Sequence, residues 1–120
     1  VKIALTASGA SLDAPLDPRF GRAARFVVVD TVTGNVTVHD NTPNLNAAQG
    51  AGIQAAEAVS QLGVEVVITG HCGPKAFRAL QAAGIQVVTG ATGTAKEAVA
   101  RYQKGELKPA TSADVEGHWA

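Results

Sequence analysis

Val64-Glu65-Val66-Val67-Ile68-Thr69-Gly70-His71-Cys72-Gly73-Pro74 is the stretch that decides the fold class. Val64, Val66, Val67 and Ile68 form a continuous apolar run, as expected of a strand covered on both faces. Pro74 suits the first position of a helix, where its missing N–H would have no intrahelical partner. Ala76, Phe77, Leu80 and Ala83 then recur at helical spacing, and Gly84 ends the stripe. A second unit of the same kind follows. Ile85, Val87 and Val88 make a strand, and residues 90–94 a loop. Ala95, Ala98, Val99 and Tyr102 stripe a third helix that ends at Gly105. Strand–helix–strand units in series call for parallel strands with right-handed crossovers.

Upstream, the pattern changes. Val1, Ile3 and Leu5 alternate with Lys2, Ala4 and Thr6, which predicts a strand with one face more buried than the other. Residues 8–22 lack periodicity and carry Gly9, Pro15, Pro18 and Gly21. A loop this long in a small domain is usually functional or mobile. A β-branched run over 26–30, the turn Thr33-Gly34-Asn35, and the alternation of Val36 and Val38 with Thr37 and His39 predict a hairpin of residues 25–31 and 35–40. After a polar break at 41–46, Ile53, Ala56, Val59 and Leu62 mark a helix that Gly63 stops. The predicted fold is therefore α/β, a mixed sheet of five strands with three helices. In open sheets of this kind ligands bind beyond the carboxyl ends of the parallel strands. Loops 8–22, 70–74 and 90–94 all leave such ends, and residues 41–50 approach the same edge.

Composition narrows the function classes. A chain of 120 residues is one domain, and its apolar content of 46 % is largely Ala and Val, giving a core of small side chains. We expect a single domain over residues 1–108 and a loose polar tail over 109–120. Formal net charge is zero, so no global field draws in nucleic acid or a membrane. No apolar run approaches the ~20 residues that span a bilayer. No basic-then-apolar leader is visible, and the expected location is cytoplasmic. The lone Cys72 rules out an internal disulfide and a metal site built from the cysteines of one chain.

Two loops carry chemistry. Asp17-Pro18-Arg19-Phe20-Gly21-Arg22, with Arg25 close behind, places three of the five arginines within seven positions. Guanidiniums clustered on a glycine-bent loop hold anions well. A solvated loop plugged by Phe20 is the competing reading. Gly70-His71-Cys72-Gly73-Pro74 resembles a nest of backbone N–H groups at a helix start, or else a tight turn that needs small residues. A Cys72 thiolate there would have a lowered pKa and, with His71, would suit a soft metal; a buried thiol is the alternative. Gly90-Ala91-Thr92-Gly93 falls short of a dinucleotide fingerprint. Lys96 replaces the third glycine, and the acid ~20 residues on is Asp114, in the tail. No P-loop is present. His39 reads as a surface residue, His118 and Trp119 as tail residues, and Asp30 and Asp40 as turn and edge residues rather than a two-metal site.

Taken together, these motifs resemble the dinitrogenase iron–molybdenum cofactor biosynthesis family. The residues that carry the resemblance are Asp17 to Arg22, Asn46, Gly50-Ala51-Gly52, Val66 to Gly70, Gly73-Pro74-Lys75-Ala76, Gly84-Ile85 with Val87, and Tyr102 with Gly105-Glu106-Leu107. The resemblance implies a ribonuclease-H-like α/β fold and a carrier of metal–sulfur clusters, not an enzyme. With one cysteine and no appended domain, the chain is most similar to the stand-alone members that hold a molybdenum–copper sulfide cluster without a cysteine cage. A related molybdenum or iron–sulfur cofactor precursor fits the same resemblance. So does a ParA/Mrp-type ATPase or other cluster-transfer partner. The site it implies has Arg19 and Arg22 supplying charge, Phe20 shielding one face and Gly21 bending the loop. Gly70, His71, Cys72, Gly73, Gly90, Thr92 and Gly93 would line the rest through N–H donors, with Cys72 and His71 as the candidate metal ligands. A cluster-free scaffold domain and a small-anion or nucleotide enzyme are the alternatives.

Overall fold

The alternation at the start of the chain becomes β1 (Lys2–Ala7), the central strand of a five-stranded sheet. The computed structural model describes residues 1–41 and 50–110; Asn46, Asp114, His118 and Trp119 lie outside the described residues. β2 (Arg25–Asp30) runs antiparallel to β1, with Lys2 opposite Asp30 and Ala7 opposite Arg25. β3 (Val36–Asp40) is antiparallel to β2 and sets Asp40 opposite Arg25. On the other side of β1, β4 (Val66–Ile68) and β5 (Gln86–Val88) run parallel to it, giving the order β3-β2-β1-β4-β5. Helices α1 (Ala51–Ser60), α2 (Pro74–Ala82) and α3 (Ala95–Gln103) supply the crossovers and covers. The expected mixed sheet with three helices is present, element for element.

The strand pleat divides the core into two layers. Ala4, Phe26, Val28 and Val67 face α1 and α2, where they meet Ala55, Val59, Phe77 and Leu80. Ile3, Leu5, Val66 and Val88 face the other way, toward Ala95 and Ala98 of α3. Alternation on β1 explains the split, since Ala4 fills the side crowded by two helices while the larger Ile3 and Leu5 fill the side with one. α2 stops where expected: Gly84 takes φ 77°, its N–H donates to Gln81 O, and that of Ile85 donates to Leu80 O. The chain then remains on the sheet past residue 108, because the Ala110 N–H donates to Val87 O at 2.7 Å. Among the described residues no helix is long and apolar enough to cross a membrane.

Candidate functional site

The register fixes one functional edge. Ala7, Arg25 and Asp40 lie at the same end of their strands as Ile68 and Val88. Loops 8–22, 70–74 and 90–94 leave this upper edge; residues 42–49, expected to approach it, lie outside the described residues. The lower edge holds the starts of the parallel strands, where the Glu65 N–H donates to Lys2 O. α1 precedes β4, so it runs downward and its N-terminus is at the upper edge, as is that of α2.

The long loop is anchored in two halves. Residues 8–16 lie across the start of α3, with Leu16 N–H donating to Gly93 O, Ala95 N–H to Ala14 O and Lys96 N–H to Leu12 O. Leu12 and Leu16 pack against the α3-side core. The arginine half begins at Asp17, whose N–H donates to Thr6 O and whose carbonyl lies 2.8 Å from Thr6 Oγ1. Thr6 and Thr69 are fully buried with their hydroxyls 3.0 Å apart. Each hydroxyl has one proton, so Thr6 donates to Asp17 O and Thr69 donates to Thr6. Asp17 Oδ1 in turn accepts from the Arg19 N–H.

The arginine half is then stitched directly to the Gly70 turn. His71 N–H donates to Pro18 O at 2.7 Å and Phe20 N–H to His71 O at 3.1 Å, forming a short parallel bridge between Arg19 and His71. Gly70 makes this possible. A Cβ built there would lie 2.8 Å from Pro18 O and 2.9 Å from Pro18 Cα, closer than any side chain tolerates. On the other side the Gly90 N–H donates to Gly70 O and the Ala91 N–H to Thr69 O. Asn41, fully buried, holds the far end of the arginine loop through Nδ2 to Ala23 O at 2.7 Å and to Gly21 O at 3.3 Å.

The structure therefore pairs the Pro18–Phe20 part of the arginine loop with Gly70 and His71, puts Phe20 and Cys72 in one core layer, and ties residues 90–91 to the same turn. Their roles separate. Arg19 and Arg22 are exposed and make no ion pair among the described residues, whereas Phe20 is 0 % exposed. The expectation that Phe20 shields a bound anion is corrected: its ring packs on Phe26, centroids 5.5 Å apart, inside the α1–α2 layer. It is the apolar post on which the arginine loop stands. Cys72 is also 0 % exposed and belongs to that layer, its Sγ 3.7 Å from Gly73 O. His71 is half-buried. Among the described residues no group of three or more His, Cys, Asp and Glu side chains is placed to hold a metal ion.

The helix starts differ in a way that matters for anions. α3 opens with a capping box: Glu97 N–H donates to Thr94 Oγ1, and Thr94 N–H donates to Glu97 Oε1. Those bonds to Thr94, backbone first, hold the Glu97 carboxyl below the usual carboxylate range. With Ala95 and Lys96 donating to the long loop, the N–H groups opening α3 are spent inside the protein. The donors expected from residues 90–94 shrink accordingly to Thr92 and Gly93, which are exposed. α1 and α2 instead follow Gly50 and Gly73, with no side-chain cap and no acid in the first turn. Among the described residues no side chain caps either start, and their positive dipole ends lie on the face that carries Phe20 and Cys72.

Two grooves lined by described residues lie away from this edge. One of about 340 Å³ is lined by Val1, Glu65, Val66, Gly84, Gln86 and Tyr102, and one of about 170 Å³ by Lys2, Val28, Asp30, Asn35 and Thr37. The arginine and Gly70 loops thus meet by backbone pairing, not as walls of either groove. The residues that sequence reasoning missed are Thr6, Thr69 and Asn41. Each reads locally as a strand or turn residue. The available signal was a hydroxyl at the upper end of each of two parallel strands bound to be neighbours.

Comparison with known proteins agrees with this architecture. The family model described as dinitrogenase iron-molybdenum cofactor matches residues 1–105. An uncharacterized protein of Methanocaldococcus jannaschii is 30 % identical over 96 residues, 78 % of this chain and 80 % of its own length. Among solved structures, the apo form of the orange protein from Desulfovibrio gigas is 46 % identical with a TM-score of 0.92, covering 95 % of this chain and 96 % of that one. A Thermotoga protein of the DUF35 family, solved by NMR under a proposed NifB assignment, is 34 % identical with a TM-score of 0.83, covering 97 % of this chain and 98 % of its own.

Proposed function

Because the chain belongs to the dinitrogenase iron-molybdenum cofactor family, we propose that it is a small non-enzymatic carrier of a molybdenum-containing metal–sulfur cluster. A molybdenum–copper sulfide or a related cofactor precursor would be the cargo, held without covalent attachment at the upper edge of the sheet. The likeness to a protein solved in an apo form supports a fold built to take up a ligand. The observation that carries the reading is the pairing of the arginine loop with the Gly70 turn beside uncapped helix starts.

A thiometallate is a bulky polyanion with a soft surface. Exposed guanidiniums at Arg19 and Arg22 offer charge with no carboxylate partner among the described residues. The starts of α1 and α2 offer N–H donors and positive dipole ends. The buried position of Cys72 supports retention by charge and hydrogen bonds, with the thiol behind the loop. On this reading the protein works in the cytoplasm and hands its cargo to a ParA/Mrp-type ATPase or another cluster-transfer protein.

The test is direct. Apo-protein is mixed anaerobically with tetrathiomolybdate and copper, desalted, and assayed for Mo, Cu and Fe per chain and for visible charge-transfer bands. Stoichiometric co-eluting molybdenum is expected. Absence of retained metal, with iron–sulfur species failing as well, would replace the carrier with a cluster-free scaffold domain.

A further inference from the structure

The large apolar side chains exposed among the described residues are Val32, Val36 and Val38, at 83 %, 42 % and 39 % exposure. All three belong to the β2–β3 hairpin. Val36 and Val38 stand opposite Val29 and Val27, on the face of the sheet that α3 covers farther along. β3 is the outer strand on that side. The ladder fixes where its backbone points. Asn35 O accepts from the Asp30 N–H, and the Asn41 N–H donates to Ala24 O. By alternation the N–H and C=O groups of Val36 and Val38 point outward, away from β2. The strand reads Val36-Thr37-Val38-His39-Asp40, with none of the lysine, proline or bulge that natural edges use to repel a second strand.

We propose that β3 is the contact strand of a two-fold dimer of this chain, in which two five-stranded sheets join edge to edge. An antiparallel pairing centred on Thr37 sets Val36 of one copy opposite Val38 of the other. It forms four backbone hydrogen bonds from the outward groups and lines four valine side chains along one face. The alternative centre at Val38 sets Val36 against the Asp40 carboxylate and keeps only the Val38–Val38 pair. In the Thr37 register Asp40 faces Gly34, so no acid meets an acid. With formal net charge zero, two copies meet without long-range repulsion. The occupant that matches this edge in both register and polarity is therefore the same edge. Two short strands bury less than the ~1,200 Å² of a standard interface, so the dimer is weak and concentration-dependent.

Sedimentation of the full chain from about 10 µM to about 2 mM tests this, because a small interface places the midpoint high in that range. The mass should rise toward twice the monomer. Val36→Lys with Val38→Lys, and separately Val36→Glu with Val38→Glu, should each stay monomeric with unchanged far-UV circular dichroism. Mixing the two variants should restore the dimer mass, because each lysine then faces a glutamate. Monomer mass throughout, or a dimer that the lysine variant leaves intact, would overturn the proposal. So would amide protection at Val36 and Val38 that appears only on adding an extended peptide, which would give the edge to a partner's strand.

Discussion

A methyl group at Gly70 would have to occupy the space of the Pro18 carbonyl. Gly70→Ala should therefore lift the arginine loop off the turn. It should cost about 1–3 kcal/mol as an overpacking substitution, read from the urea midpoint, and reduce thiometallate retention with it. Asn41→Ala removes both bonds that hold the far end of the loop and leaves buried carbonyls unpaired. It should cost about 1–3 kcal/mol, and amide exchange should quicken over residues 19–23. Cys72→Ser is the contrasting case. If the cargo is held by charge, molybdenum per chain after desalting should stay within about twofold of wild type despite some loss of stability from a buried hydroxyl. At this scale the sequence was partly legible. The glycine and the arginines could be singled out because their chemistry is local. The inward turn of Phe20 and Cys72 was open only as an alternative, since which face of a loop is covered depends on helices that pack from elsewhere in the chain.

The helices show what capping does for function. Thr94→Ala should cost about 1 kcal/mol, because α3 loses the acceptor for the Glu97 N–H. Glu97 titrates below its ordinary value, through its bonds from Thr94 first. The sign follows: its contribution is complete above the unfolded-state pKa and disappears as the pH falls through the lower folded one. The difference in urea midpoint between wild type and Glu97→Gln should therefore shrink on acidification from about pH 6 to below about pH 4. At the start of α2 the same physics should separate stability from function. Lys75 is exposed in a first turn that carries no acid. Lys75→Glu should stabilise the fold by about 0.3–1 kcal/mol through the helix dipole, yet weaken retention of an anionic cargo. Element order was legible throughout, because period-3.6 and period-2 stripes punctuated by Gly63, Gly84 and Gly105 leave little ambiguity. The consumption of α3's N–H groups by residues 12 and 14 was not, because a tertiary contact supplies the acceptors.

At the scale of the molecule, zero net charge coexists with an arginine-bearing upper edge. Arg19→Ala with Arg22→Ala should leave the urea midpoint nearly unchanged, since both side chains are exposed. Molybdenum retention should fall at least tenfold, and the wild type should lose it progressively with salt as the charges are screened. Unchanged retention in the double variant would remove the guanidiniums from the mechanism. The central place of β1 also sets an order of events. β1 sits in the middle of the sheet and pairs with β4, so Ile3 must wait for Val66, and the arginine loop has no seat until Gly70 has been synthesised. Contacts this distant along the chain form slowly. On a ribosome β1 would emerge with its loop unclosed, and the upper edge would assemble only once the Gly70 turn has followed it out. On the carrier reading, an unfinished chain that lacks the Gly70 turn would have no site to load.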